Sequence, residues 1–277
     1  MKMRMARRWL IAAVLIIFTP AAFAACTAKN DNPPDRPTLA RIAQRGKVLV
    51  GTTGDYRPLS YKEPETGEYW GFCLDVAGEI AKALNVTISY VPTSWPTLTA
   101  DVLAEPQTFD FAICGITITD TRLETMDMSE GYLGNGKTIL CRNEDAGKYT
   151  CQEDLNRPEV RVMVNPGGLN EKFARANLPN CTLIVYERNE EIPNQVAEGH
   201  ADVMITEITE APWYLQNDPR LAAPLIENPF THGEIGVLMR KEQDDLLVLV
   251  NAVIAQMKAD STLRQLHEKY GLVYGYE

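Results

Sequence analysis

Residues 109–117 read FDFAICGIT, and residues 200–207 read HADVMITE. In each stretch an Asp precedes an apolar run that ends in polar side chains. A short apolar run of this kind is typical of a buried strand. The two similar stretches predict two similar α/β lobes. Each lobe offers polar groups at the carboxyl end of a strand, where open α/β sheets bind their ligands.

Strands and helices alternate on both sides of these stretches. Hydrophobic periodicity predicts strands over 47–52, 86–90, 109–116, 138–141, 160–164, 183–186, 201–206 and 234–240. It predicts helices over 38–45, 75–84, 95–104, 170–177, 190–198, 246–257 and 261–270. This alternation predicts an α/β fold in which each lobe is a mostly parallel sheet flanked by helices.

The composition excludes several classes of protein. The 277 residues include 27 Lys and Arg against 37 Asp and Glu, a net charge of −10, which argues against a nucleic-acid partner. Three scattered His and no paired-Cys motif argue against a zinc enzyme. No G-x-S-x-G or H-E-x-x-H motif is found, so serine-triad and zinc hydrolysis have no support. No cofactor and no metal site are predicted.

The first 24 residues have the pattern of a secretory signal peptide. Lys2, Arg4, Arg7 and Arg8 precede an apolar run over 10–18 and the sequence Ala22-Phe23-Ala24. The apolar run is too short to span a membrane. Arg7-Arg8 lacks the flanking residues of a twin-arginine signal, so the general export route is favoured. Cleavage after Ala24 leaves 23 basic and 37 acidic residues, a net charge of −14.

Residues 25–37 are predicted to form a polar, Pro-rich tether in an exported protein. Cys26 offers an alternative, because Phe-Ala-Ala-Cys loosely resembles a lipoprotein processing site.

In an oxidising compartment a disulfide among Cys141, Cys151 and Cys181 is plausible, and Cys141–Cys151 is the first choice. The alternative leaves all thiols free. Both alternatives stay open at this point.

Thr117, Thr119 and Arg122 form a candidate anion site. They follow a predicted strand and open a helix capped by Thr119 or Asp120. An Arg presents a planar fork that binds a carboxylate through two hydrogen bonds. Hydroxyl groups and backbone amides at the start of the helix complete such a site. The alternative is a surface Arg near a helix start.

Two glycine-containing stretches raise different expectations. Residues 131–138 match G-x-x-x-x-G-K-T, but a strand rather than a helix is predicted to follow, so a nucleotide loop is rejected. Lys137 remains a candidate cation near a crossover between the lobes. Residues 165–172 place Gly167-Gly168 between a strand and a helix, where backbone approaches a ligand closely. Glu171 then falls in the first helical turn, where the helix dipole favours a charged carboxylate.

Aromatic side chains on predicted loops form a further group. Tyr56, Tyr61, Trp70 and Trp95 lie near strand ends and are candidates for stacking on a planar ligand. Anchoring of the loops is the alternative for each of them. Glu207, at the end of a predicted strand, is a candidate partner for an ammonium group or a second acid.

The chain resembles the two-lobed (type II) periplasmic amino-acid-binding proteins of ABC transporters across nearly its whole mature length. Segments that carry this resemblance are Thr52-Thr53-Gly54-Asp55-Tyr56, Gly71-Phe72 with Asp75, and Gly115-Ile116-Thr117 with Thr119 and Arg122. Within that family it is most similar to the periplasmic cyclohexadienyl dehydratases. Residues 91–96 (VPTSWP) and 164–178 (VNPGGLNEKFARANL) carry this second resemblance.

The resemblance implies lobes at 38–135 plus 231–277 and at 136–230, with the ligand between them. It implies decarboxylative dehydration of prephenate to phenylpyruvate and of arogenate to phenylalanine, without a cofactor. Glu171 is then the expected general acid, and the expected substrate-binding residues are Tyr56, Trp95, Thr117, Arg122, Lys137, Asn170 and Glu207. The alternative is a non-catalytic receptor that delivers an amino acid or small carboxylate to a transporter. Leu169 departs from the binding-protein pattern, which has Thr after the glycine pair.

Overall fold

The computed structural model describes residues 37–273 and 275. The predicted signal peptide, Cys26 and nearly all of the predicted tether lie outside the described residues. The strands in chain order are β1 (Lys47–Thr52), β2 (Asp55–Tyr56), β3 (Ser60–Lys62), β4 (Tyr69–Trp70), β5 (Thr87–Pro92), β6 (Phe111–Thr117), β7 (Met126–Met128), β8 (Leu133–Asn135), β9 (Lys137–Arg142), β10 (Arg161–Val164), β11 (Thr182–Val185), β12 (Val203–Glu207), β13 (Leu221–Ala222) and β14 (Gly233–Arg240).

The α-helices flank these strands. They are α1 (Thr38–Arg45), α2 (Phe72–Leu84), α3 (Leu98–Val102), α4 (Asp120–Thr125), α5 (Leu169–Asn177), α6 (Ile192–Ala197), α7 (Ala211–Asn217), α8 (Asp244–Ala259) and α9 (Thr262–Tyr270). Among the residues the structure describes, no single helix is long and apolar enough to cross a membrane. Taken together α8 and α9 pass that test, but a 78° bend separates them.

Two sheets carry the two lobes of the fold. The first has the order β5-β1-β6-β14-β7, with β8 also paired to β14, and the second has the order β11-β10-β12-β9-β13. In each sheet three neighbouring strands pair in parallel, as predicted, and the remaining pairs are antiparallel, so each sheet is mixed. The chain passes from the first sheet to the second between β8 and β9 and returns between β13 and β14.

The quoted stretches form central strands, as their apolar runs predict. All residues of β6 from Phe111 to Ile116 are buried, and so are all five residues of β12. Apolar clusters cover both faces of each sheet. Burial on both faces explains why these runs lack polar alternation. The polar ends of the strands, Thr117 and Glu207, are consequently held on rigid elements.

Several segments differ from the sequence prediction: β7, β8, β13 and α7 form where no element is predicted, and two further differences bear on the site. The aromatic loop between Gly54 and Gly71 contains a small antiparallel sheet of β2, β3 and β4. The helix predicted over 95–104 is only Leu98–Val102, which leaves Trp95 in a loop. Pro96 accounts for the late start, because the residue before a proline disfavours helical backbone angles.

The cysteines form no disulfide in the described part of the chain, so the preferred Cys141–Cys151 pairing is wrong for this structure. Cys141 is buried in β9, whereas Cys151 is exposed after the turn that follows β9. Burial raises the pKa of the Cys141 thiol to about 12, which makes it a core thiol. The alternative, with free thiols, is the arrangement observed for Cys73, Cys114, Cys141, Cys151 and Cys181.

Candidate functional site

A narrow cavity lies between the two lobes, at the carboxyl ends of β6 and β12. All seven side chains that the sequence predicts to bind substrate line it: Tyr56, Trp95, Thr117, Arg122, Lys137, Asn170 and Glu207. The cavity volume is about 20 Å³, room for about one water molecule. Entry of an organic ligand therefore requires the lobes to move apart, as in a hinged closure.

Direct contacts between the lobes explain why the cavity is narrow. Gly167, in the loop before α5, packs on Pro96 so closely that a Cβ at this position lies 2.5 Å from the proline Cα. Its φ of +74° is also in the region that favours glycine. Trp70 and Trp213 meet with ring centroids 5.5 Å apart. The glycine therefore allows close approach of the two lobes, whereas its place in the sequence predicts close approach of the backbone to a ligand.

Arg122 is fixed at the end of β6 by its neighbours. Thr119 is the N-cap of α4 and accepts a hydrogen bond from the backbone N–H of Arg122 at 3.4 Å. The guanidinium donates to the carbonyl oxygen of Thr117 and makes no ion pair with any described residue. Burial lowers the pKa of Arg122, and the charge of Glu207 opposes that shift. The remaining guanidinium N–H groups are available for a carboxylate.

Glu207 lies at the centre of the polar wall. Tyr56 Oη and Lys137 Nζ donate to its two carboxylate oxygens, and Lys137 also donates to Asn170 Oδ1 at 2.6 Å. Burial raises the pKa of Glu207, but the charge and hydrogen bond of Lys137 and the hydroxyl of Tyr56 outweigh burial. The net pKa lies below the ordinary value. Glu207 is thus an ionised carboxylate that depends on one buried cation.

Tyr56 and Trp95 form an aromatic corner of the cavity. Their rings pack edge to face, with centroids 5.6 Å apart, and Trp95 Nε1 donates to Asp55 Oδ1 at 3.1 Å. Gly115 makes room for Tyr56, because a Cβ at Gly115 lies 2.6 Å from the tyrosine ring. The other candidate aromatics, Tyr61 and Trp70, contact each other and do not line the cavity.

The structure does not place Glu171 in the cavity wall, although Gly168, Leu169 and Asn170 line it. The Glu171 carboxylate accepts the N–H of Gly167 at 2.7 Å and pairs with Arg175. Those two partners lower the pKa of Glu171. A general acid at neutral pH requires the opposite shift. In this geometry Glu171 fixes the turn before α5, and the expected role as general acid must be reconsidered.

Two further buried residues were missed by the sequence analysis. Asn189 lines the cavity and donates from Nδ2 to the backbone oxygen of Asp55 at 3.0 Å and to Glu210 Oε1 at 3.3 Å. Burial raises the pKa of Glu210 to about 8. Glu210 follows Glu207 by three residues, which is a usable signal. Asn189 begins a short 3₁₀ helix and carries no local signal.

A larger cavity adjoins the first on the side of the crossover segments. Its volume is about 360 Å³, and it shares Thr117, Lys137, Leu169 and Glu207 with the first. Phe173 and Lys172 from α5 and His232 from the return crossover also line it. Leu169, the departure from the binding-protein pattern, therefore lines both cavities. No group of three or more His, Cys, Asp or Glu in the described ranges is arranged to hold a metal.

The profile of the bacterial extracellular solute-binding proteins, family 3, matches residues 48–273. The chain belongs to this family. Proteins of this solute-binding family have the two-lobed fold described above. The match includes every residue that lines the first cavity.

Three relatives within the family are informative. Cyclohexadienyl dehydratase of Pseudomonas aeruginosa is 38% identical over 205 residues, 74% of this chain and 75% of the relative. The crystal structure of the ancestral amino acid-binding protein AncCDT-1, a precursor of cyclohexadienyl dehydratase, matches with a TM-score of 0.77 and 37% identity, over 84% of this chain and 99% of that one. An ancestral cyclohexadienyl dehydratase, AncCDT-3, matches with a TM-score of 0.52 and 48% identity, over 87% and 99%. The family resemblance predicted from the sequence is confirmed.

Proposed function

We propose that this solute-binding-family protein is a cyclohexadienyl dehydratase that acts on prephenate and arogenate. One observation carries the proposal. The chain is 48% identical to an ancestral enzyme of this name but 37% identical to the ancestral amino acid-binding precursor, at similar coverage. Its sequence is therefore closer to the enzyme than to the receptor.

The reaction needs few groups from the protein. The substrate carries a ring hydroxyl, a ring carboxylate and a side-chain carboxylate. A proton adds to the hydroxyl, the C–O bond breaks and water leaves. The bond from the ring to its carboxylate breaks too, its electron pair completes the aromatic ring, and CO₂ leaves. The protein must bind an anion, supply one proton and exclude water.

Glu207 is the proton donor that the geometry favours, in place of Glu171. Its carboxyl is buried in the cavity wall between Tyr56 and Lys137, whereas Glu171 points elsewhere. Without substrate Lys137 keeps Glu207 ionised. A bound dianion next to Glu207 favours its protonated form, because like charges raise a carboxyl pKa. Substrate binding thus favours uptake of a proton by Glu207. This is the proton that the leaving hydroxyl needs.

Arg122 supplies the anion site. It has no carboxylate partner among the described residues, and Thr117 and Thr119 hold it in place. A bidentate pair with the side-chain carboxylate orients the substrate, and closure of the lobes then removes water from the reacting ring. This local cation acts against the acidic charge of the whole chain, so affinity must come from short-range contacts.

The deciding experiment is a turnover assay. Purified protein is incubated with prephenate, and the formation of phenylpyruvate is followed by its absorbance. A parallel reaction with arogenate is analysed for phenylalanine. We expect turnover of at least one substrate. Absence of turnover with both, together with tight binding of an amino acid in calorimetry, rejects the enzyme.

The second candidate is a receptor for an amino acid or small carboxylate that feeds an ABC transporter. The TM-score of 0.77 to the ancestral amino acid-binding protein favours it. We place either protein in the periplasm, with lobes at 38–135 plus 231–277 and at 136–230. A lipid anchor at Cys26, detected by mass spectrometry of the exported protein, supports the receptor.

A further inference from the structure

The wall of the first cavity contains one hydrogen-bond acceptor that no described residue satisfies. Asn189 is 2% exposed, and its Oδ1 is buried without a hydrogen-bond partner. A buried amide oxygen left unpaired is costly, so such an atom calls for an explanation. Asn189 lines the cavity, which makes a bound ligand the natural source of the missing donor.

The orientation of this amide is fixed by its other contacts. Nδ2 faces the backbone oxygen of Asp55, which only accepts hydrogen bonds, so a flipped amide is excluded at this contact. Nδ2 also reaches Glu210, whose carboxyl is held by the hydroxyl of Thr206. The amide oxygen is therefore held in one direction by groups from both lobes.

The charged carboxylate and the buried lysine of the wall are already paired. The two oxygens of Glu207 accept hydrogen bonds from Tyr56 and Lys137, and Lys137 also donates a hydrogen bond to Asn170. The Arg122 guanidinium, a donor, and Asn189 Oδ1, an acceptor, are left with hydrogen-bonding capacity of opposite kind. A carboxylate together with an ammonium satisfies both groups, whereas a 2-keto acid satisfies only the first.

We propose that Asn189 is a specificity-determining residue, whose Oδ1 accepts a hydrogen bond from the α-ammonium group of an amino-acid substrate. This inference deepens the proposed function, on which it rests for the substrate class. It predicts that the site distinguishes arogenate from prephenate, and phenylalanine from phenylpyruvate. The members of each pair differ in carrying an ammonium or a keto group.

The test uses the two reaction products as ligands, so that it does not depend on turnover. Calorimetry gives Kd for phenylalanine and phenylpyruvate with wild type, Asn189→Leu and Asn189→Asp. Leu has the same branched arrangement of side-chain heavy atoms as Asn but no acceptor, and Asp keeps an acceptor and adds charge. A hydrogen bond to a charged group implies a loss of about tenfold or more in phenylalanine affinity for Asn189→Leu, with phenylpyruvate changed less than about twofold.

The ratio of the two dissociation constants decides the proposal. If Asn189→Leu weakens both ligands equally, or if wild type does not bind phenylalanine, the proposal is overturned. If circular dichroism shows that Asn189→Leu does not fold, Asn189→Asp decides. The added charge must raise the preference for phenylalanine over phenylpyruvate. An unchanged or lower preference overturns the proposal. Absence of dehydratase turnover overturns the proposed function alone, since binding of the products is measured separately.

Discussion

Lys137 and Glu207 lie directly opposite each other in the antiparallel pair of β9 and β12, and their side chains meet in a buried ion pair. Lys137 begins β9 just after the crossover from the first lobe, and Glu207 ends β12. The strand register therefore places the Lys137 ammonium next to the Glu207 carboxylate, because directly opposite residues project to the same side of a sheet. The two side chains are only 8% and 6% exposed, so the charge of Glu207 depends on its contact with Lys137.

Removal of Lys137 is expected to leave Glu207 buried without its cation. Substitution Lys137→Met should lower the free energy of unfolding by about 3–5 kcal/mol at pH 7, the usual cost of breaking a buried pair. The double variant Lys137→Met with Glu207→Gln should recover part of this loss, because no unpaired charge remains. Urea unfolding of the four proteins of this cycle measures both effects. If the loss of unfolding free energy in the double variant equalled the sum of the losses in the two single variants, the pairing would be contradicted.

Glu207 and Glu171 offer a matched comparison for the proton donor. Glu207→Gln should lower kcat on prephenate by about 10²–10⁴-fold, the range that general acids contribute, and should retain substrate binding. Glu171→Gln should keep most of kcat, because that carboxylate contacts Gly167 and Arg175 instead of the cavity. Steady-state kinetics separates them. The reverse outcome restores Glu171 as the acid and rejects Glu207.

Arg122→Lys tests the anion site while keeping the positive charge. A lysine offers a point charge in place of a planar fork, so one of two hydrogen bonds to a carboxylate is lost. We expect KM for prephenate to rise about tenfold or more, the cost of a charge-assisted hydrogen bond, with a smaller change in kcat. Unchanged KM in steady-state kinetics would show that the carboxylate binds elsewhere.

The strand ends explain how much of the site was predictable. Polar residues after apolar runs identified Thr117, Arg122 and Glu207, because parallel strands bring their carboxyl ends together. The orientation of Glu171 differs from the expectation for a local reason. Its neighbours Leu169 and Asn170 face the cavity, but its own carboxylate turns back to the N–H of Gly167. Asn189 became part of the wall only through its tertiary contacts with Asp55 and Glu210, which no local pattern encodes.

Gly167 controls how closely the lobes approach. In Gly167→Ala the new Cβ lies 2.5 Å from Pro96 Cα, and the positive φ adds backbone strain. We expect weaker substrate binding, because the closed state becomes less favourable, with a smaller effect on the fold of each lobe. Gly147→Ala is the control, since a Cβ there meets nothing within 4 Å. Calorimetry with phenylalanine should show lower affinity for the first variant only.

Glu210 should make stability depend on pH. Its pKa in the folded protein is about 8, raised by burial above the ordinary 4.5 that the unfolded chain has. Between these values the folded state holds a proton that the unfolded state has lost, so stability falls as pH rises, by about 1.4 kcal/mol per pH unit. The stabilising effect of this proton is complete below pH 4.5 and is lost as pH passes 8. Glu210→Gln keeps the shape of the side chain but cannot titrate. The unfolding free energy of this variant relative to that of wild type should therefore increase from pH 5 to 8. Parallel urea titrations with a constant difference between the two proteins would show that Glu210 does not carry this proton.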